Sequence, residues 1–145
     1  MGKKNIFTAL SNTKRGDKMN YIKRCVLIFL TGAVGYAIVE LLWRGRTHPT
    51  MMLAGGLSFI SFSFIAKEFE SAPLIAKAIL ASLTVTLIEL AFGLVFNVWL
   101  KMAIWDYSDQ PFNLLGQICP LFSVFWCGLA LLFIPLADKM NKLFA

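Results

Sequence analysis

Two carboxylates sit where carboxylates are costly. Glu40 and Glu89 each interrupt an apolar run. A charged side chain near the centre of a membrane helix costs about 2.5–3.5 kcal/mol on insertion scales. Glu40 has Arg44 four residues on, one turn along the same helical face, which predicts an ion pair within the helix. Glu89 has no such neighbour. It stands twelve residues before Lys101, about 18 Å from that end of its helix. It also shares a stripe, spaced four residues apart, with Gly93 and Asn97. Such a stripe faces a bundle interior or a wet cavity. Two kinds of chemistry are open to Glu89: a neutral carboxyl hydrogen-bonded between helices, or a ligand-binding or proton-carrying group.

Two polar, aromatic-rich segments add to these carboxylates. The first reads Trp43-Arg44-Gly45-Arg46-Thr47-His48-Pro49; the second runs from Trp105-Asp106-Tyr107 to Asn113, with Gly116 and Gln117 following. Together they yield a candidate polar site of Glu40, Trp43, Arg44, Arg46, His48, Glu89, Asn97, Trp105, Asp106, Tyr107, Asn113 and Gln117. Ion pairs from Arg44 and Arg46 to Asp106 and Asp109 are expected to link the two segments. Trp43, Trp105 and Tyr107 also suit an interfacial aromatic belt. His48 is the single histidine. With Glu40 and Asp106 it offers an acid–base or metal constellation, although one histidine is a thin metal signal; a cap before Pro49 is the simpler role. Cys25, Cys119 and Cys127 lie within or beside apolar segments. Odd in number, they read as small packing residues and not as a disulfide framework or zinc site. No nucleophile motif, cofactor motif or G-x-x-x-x-G-K-[S/T] loop occurs, so the chain cannot hydrolyse ATP by a P-loop mechanism.

What must position these residues is a set of membrane helices. Of 145 residues, 58% are hydrophobic and 15% charged, with a mean hydropathy of +0.69; soluble domains carry about 25% charged residues. About 20 apolar residues cross the hydrocarbon core, which predicts spans at 25–43, 50–66, 74–100 and 114–137. The second is short and holds Gly55, Gly56, Ser58, Ser61 and Ser63. Charge arbitrates in its favour. With four spans, eleven Lys and Arg fall on the side of the termini and three on the other, so the positive-inside rule puts both termini in the cytoplasm. If the second segment stayed on one side, the split would be eight against six.

The expected fold is therefore an all-α, polytopic four-helix bundle over 21–145, N-in and C-in, preceded by a basic, flexible cytoplasmic tail over 1–20. Seven of the fourteen Lys and Arg lie before residue 25 and, with Asp17, carry +6, the whole net charge. The basic pI therefore describes a topology signal and a contact to anionic lipid, and nucleic acid is not an expected partner. No cleavage site follows the first apolar run, and Met19 is an alternative start to Met1. Helices are expected to approach through Thr31 and Gly35, beside Ala33 and Ala37, on the first span, and through Ala78, Ser82 and Thr86 on the third.

The two polar segments also carry a resemblance. Trp43-Arg44-Gly45, Thr47-His48 and Gly55-Gly56, then Trp105-Asp106-Tyr107-Ser108, Pro111-Phe112-Asn113 and Gly116-Gln117-Ile118, with Glu89 and Asn97 between, resemble the putative ABC-transporter type IV, or CmpB-like, family and its transmembrane protein 229 relatives. The resemblance covers residues 21–137. It implies a transport-related membrane protein, with the bilayer around it and a transporter subunit or a second copy as partner. Three functions follow: a transport or ligand- and lipid-binding component with a polar site on the non-cytoplasmic face; an accessory subunit in which the same residues lock the bundle; and an intramembrane enzyme using His48, Glu40 and Asp106. The expected location is a cell membrane, of the bacterial plasma-membrane type.

Overall fold

The computed structural model describes residues 3–144, with side chains from Met19 onward. Four helices are long and apolar enough to cross a bilayer: Met19–Arg44, Pro49–Glu68, Leu74–Trp99 and Pro120–Leu143. The first is the apolar part of α1 (Lys3–Arg44), the second is α2 (Pro49–Glu68), and the fourth is α4 (Pro120–Leu143). The third is α3 (Leu74–Phe92), which continues as a seven-residue π-helical segment, Gly93–Trp99. The expected flexibility of the 1–20 tail falls largely on residues whose side chains lie outside the described ones.

Proline marks three of the four starts. Pro49 and Pro120 occupy the first turn of α2 and α4, and Pro73 caps α3. The ring fixes φ in the helical range, and its missing N–H would have no helical partner there. This corrects the fourth span, expected to begin at residue 114 with an early kink at Pro120. Residues 114–118 instead fold into a tight turn closed by a bridge between Leu114 and Ile118. Leu115 and Gly116 both adopt left-handed backbone there, at φ 53° and 68°. A Cβ on Gly116 would also lie 2.6 Å from Asp106 Oδ1. The end of that span is corrected as well: α4 runs on to Leu143, so Pro135, expected near the end, lies inside the helix.

The bundle is apolar on the outside. Leu87, Leu132 and Val124 are 65%, 70% and 71% exposed, a surface suited to lipid and not to water. Inside, α2 is the hub. It packs along α1 and touches both α3 and α4, while α3 packs on α4. By contrast, α1 barely meets α4 and does not meet α3.

Small residues decide how closely the helices approach. The α3–α4 seam uses the expected stripe: Ala78 is fully buried, Ser82 donates to the Ser123 carbonyl, and Thr86 shares a 2.9 Å hydrogen bond with the Ser123 hydroxyl. The α1–α2 crossing uses other residues than expected. It runs through Gly32 and Gly55, each of whose added Cβ would meet the partner's backbone oxygen within 3 Å. Thr31 is exposed and bonds back to the Leu27 carbonyl, and Gly35 faces open space. Ser63 and Asn141 exchange two hydrogen bonds, of 2.7 and 2.9 Å, and tie α2 to the last turns of α4.

Candidate functional site

The two polar segments meet at one end of the bundle. Arg44 Nη1 donates to the Ile104 carbonyl at 3.0 Å, joining the end of α1 to the long connector between the π-helical segment and α4. The expected intrahelical pair is present: Arg44 Nη2 lies 2.5 Å from Glu40, whose other oxygen accepts from the Thr47 hydroxyl at 2.7 Å. The expected ion pairs to Asp106 and Asp109 do not form. Among the described residues, Arg46 and Asp109 make no ion pair, and Asp106 turns back on its own loop to accept from Ser108. The Ser108 hydroxyl and backbone N–H hold the Asp106 carboxyl below its usual range. A short Asx-type turn satisfies this carboxylate locally, so it has no need of a distant arginine.

Part of the connector folds back into the bundle, while residues 101–103 and 111–112 are exposed. Ile104 and Trp105 are buried. Asn97 pins them: its Oδ1 accepts from the Ile104 N–H at 2.7 Å, and its Nδ2 donates to the Trp105 carbonyl and to Gln117 Oε1. Trp105 Nε1 donates to the Gln117 carbonyl at 3.0 Å. Asn113 braces the turn through Ser108, Gln110 and Gly116. Irregular backbone at membrane depth is tolerated when protein supplies its hydrogen bonds in this way. Asn97→Ala, which strands these buried groups, is expected to cost about 1–3 kcal/mol, read as earlier thermal unfolding in detergent. His48 is the side-chain cap of α2, its Nδ1 accepting from the Thr50 N–H. Glu40, His48 and Asp106 share no hydrogen bond with one another, and no group of three His, Cys, Asp or Glu is placed to hold a metal, among the described residues.

Glu89 is 3% exposed and lies ten residues, about 15 Å, from Trp99 at the end of its span. Its carboxyl accepts from Trp126 Nε1 at 2.8 Å and from the Tyr107 hydroxyl at 3.3 Å. Burial raises the Tyr107 phenol above its ordinary range, so it stays a donor. Trp126 was not among the residues singled out in the sequence. Indole is a donor only, so a tryptophan inside an apolar span, which needs an acceptor there, is the signal that could have found it. Tyr107 stacks on Phe122 with centroids 4.3 Å apart, and Trp126 stacks on Tyr36 of α1 at 5.4 Å.

Because α1 leans on α2 and away from α4, the bundle keeps a groove between α1 and α4. Its large lobe, about 560 Å³, is lined almost entirely by apolar atoms, including Gly35, Phe59, Phe62, Leu129 and Phe133. A smaller lobe of about 310 Å³ lies toward the connector and includes Glu40, Trp43, Arg44, Trp105 and Tyr107. Tyr36, Val39, Trp126 and Leu129 border both lobes. Volumes of about 300–1,000 Å³ are typical of small-molecule sites. Glu89 does not line either lobe; it holds Trp126 and Tyr107, two of the walls, from behind.

Fold and groove together define a multi-pass four-helix membrane protein with a cavity open to its side. The chain belongs to the family described as "Putative ABC-transporter type IV", whose model matches residues 46–144. That match extends further toward the C-terminus than expected and begins after α1, so the α1 wall of the groove lies outside it. No curated protein and no solved structure matches the chain.

Proposed function

We propose that this protein is a transport-related membrane component that binds an amphiphilic, lipid-like ligand in the groove between α1 and α4. The observation that carries this reading is the composition of the two adjoining lobes: an apolar one deep in the bundle, and one at the helix ends that includes the Glu40–Arg44 pair. A chain-bearing molecule with a polar head matches that gradient. The charge distribution supports termini in the cytoplasm and the connectors on the outer face, so the ligand would come from the outer leaflet of a cell membrane. The sequence has no P-loop, so ATP-driven transport would need an ATPase partner, and a second copy is the other partner to test for.

Two glycines test the groove. Gly35 lines the large lobe and Gly128 lies on α4 outside both lobes; an added Cβ meets nothing within 4 Å at either. Both sit inside helices, where replacing glycine is neutral to stabilising. Gly35→Trp is expected to lower co-purifying amphiphile about tenfold, since overpacking costs about 1–3 kcal/mol. Gly128→Trp should leave it unchanged, with both variants as thermostable as the parent. Lipid extracted per mole of purified protein is the readout. Equal lipid content in the two variants would remove the groove as a binding site.

A second reading is favoured by one observation: Glu89, Asn97 and Gln117 all direct their hydrogen bonds inward. For these three residues a locking role is the better account, as in an accessory subunit. On that account alone, Glu89→Gln lowers stability without changing bound lipid.

A further inference from the structure

The groove reading leaves the ligand's head undefined, and the small lobe constrains it. Seven of its thirteen lining residues are aromatic, among them Tyr36, Trp43, Trp105, Tyr107 and Trp126, so any head placed there lies among aromatic rings. Its charged residues are one acid and one base, Glu40 and Arg44. Glu40 is 8% exposed and takes one hydrogen bond on each oxygen, from Arg44 and Thr47. A carboxylate has about four acceptor sites in all, so acceptor capacity remains. The Arg44 guanidinium donates from Nη2 to Glu40 and from Nη1 to the Ile104 carbonyl, while its buried Nε has no acceptor. Donor capacity therefore remains as well, and exposed Arg46 adds positive charge two residues on.

A head with a single charge fits this lobe poorly. An anion gains from Arg44 and is repelled by Glu40; a cation meets the reverse. An uncharged head can hydrogen-bond to both but gains no charge–charge attraction from either. A head carrying both charges uses both: an ammonium against the aromatic faces beside Glu40, and a phosphate on the arginine side. Depth agrees. Trp43 is 64% exposed at the end of α1, where an interfacial tryptophan sits at headgroup level. The large apolar lobe then lies where an acyl chain would run.

We infer that the small lobe, built by Glu40, Arg44 and an aromatic box, selects the zwitterionic head of a phospholipid whose chain occupies the large lobe. This rests on the groove reading above. The test keeps the two separable. Full-length protein in detergent is incubated with an equimolar mixture of phosphatidylcholine, phosphatidylglycerol and diacylglycerol bearing identical chains, and bound species are counted by native mass spectrometry. Phosphatidylcholine is expected to be retained about tenfold over diacylglycerol, and in preference to phosphatidylglycerol.

Glu40→Gln leaves Arg44 without its counter-charge and should move the preference to phosphatidylglycerol. If that variant misfolds, Trp43→Leu removes one exposed ring face and should cut the phosphatidylcholine-to-diacylglycerol ratio about threefold without changing thermal stability. Equal retention of the three lipids, or a preference for phosphatidylglycerol in the parent protein, overturns the head assignment while leaving the groove intact. Displacement of phosphatidylcholine by sub-stoichiometric tetraphenylphosphonium overturns it in favour of a cation site. If Gly35→Trp alters the binding of no lipid in the mixture, the groove reading fails, and the head assignment with it.

Discussion

Glu89→Lys is expected to abolish recovery of folded, monodisperse protein from membranes. The carboxyl it replaces is buried between α3, α4 and the connector, and accepts from Trp126 and Tyr107. An ammonium has no acceptor to offer those two donors, and each buried donor left alone costs about 1–3 kcal/mol. The cation adds its own insertion cost of about 2.5–3.5 kcal/mol. Together these come to about 4.5–9.5 kcal/mol, enough to unfold a protein in the lower part of the usual stability range of about 5–15 kcal/mol. Glu89→Gln keeps one acceptor and should be milder, a lower unfolding temperature with a normal size-exclusion profile. The readout is fluorescence-detected size exclusion of detergent extracts. A normal peak for Glu89→Lys would mean that Glu89 faces water and that the cluster around it is not the interior lock described above.

Gly32→Leu should separate α1 from α2. A single Cβ at Gly32 would lie 2.3 Å from Phe59 Cβ and 2.6 Å from the Gly55 carbonyl oxygen. Neither can move without the backbone moving. Overpacking a rigid site costs about 1–3 kcal/mol, occasionally more, and this site is bounded by backbone, so a loss of about 3 kcal/mol or more is expected. Gly35→Leu, three residues along the same helix, adds the same group to open space and should unfold with the parent. Thermal unfolding of the two variants in one detergent decides the matter. Indistinguishable midpoints would show that the Gly32–Gly55 crossing is not a close one.

The pair Gly32 and Gly35 also marks how far sequence reading reached. A small-residue stripe was legible on α1, but its face was not. Thr31, Gly32, Ala33 and Gly35 all qualify by size, and only the partner helix selects among them. On α3 the stripe Ala78, Ser82 and Thr86 was legible from its four-residue spacing; a hydroxyl alone is no guide, since those of Thr31 and Thr84 bond back to their own helices. The Glu89–Gly93–Asn97 stripe was legible for the same reason: three residues out of place in lipid, spaced four apart. Asn97 and Gly93 both meet Gln117. The π-helical segment that carries them left no mark in the pattern, since apolar periodicity does not separate a short π-helix from an α-helix.

The fourth helix was misjudged at its start because Leu114, Leu115 and Ile118 are apolar enough to read as span. Leu114 and Leu115 are 50% and 66% exposed, so their apolar character marks neither a helix nor a buried core. Pro120 was the better signal, as a first-turn residue. The loop ion pairs failed because both partners had nearer options: Glu40 for Arg44 and Ser108 for Asp106. The groove was invisible throughout. It arises because α1 packs along α2 and barely meets α4, which no single residue encodes, and its α1 wall falls outside the segment that the family model matches.

The most direct measurement is anomalous diffraction from crystals of the full chain grown in a lipidic phase doped with a phosphatidylcholine brominated along one acyl chain. The groove account predicts bromine density between α1 and α4, beside Gly35, Phe59 and Phe133. Bromine found only on the outer surfaces of the bundle, with side chains closed across the space between α1 and α4, would contradict it.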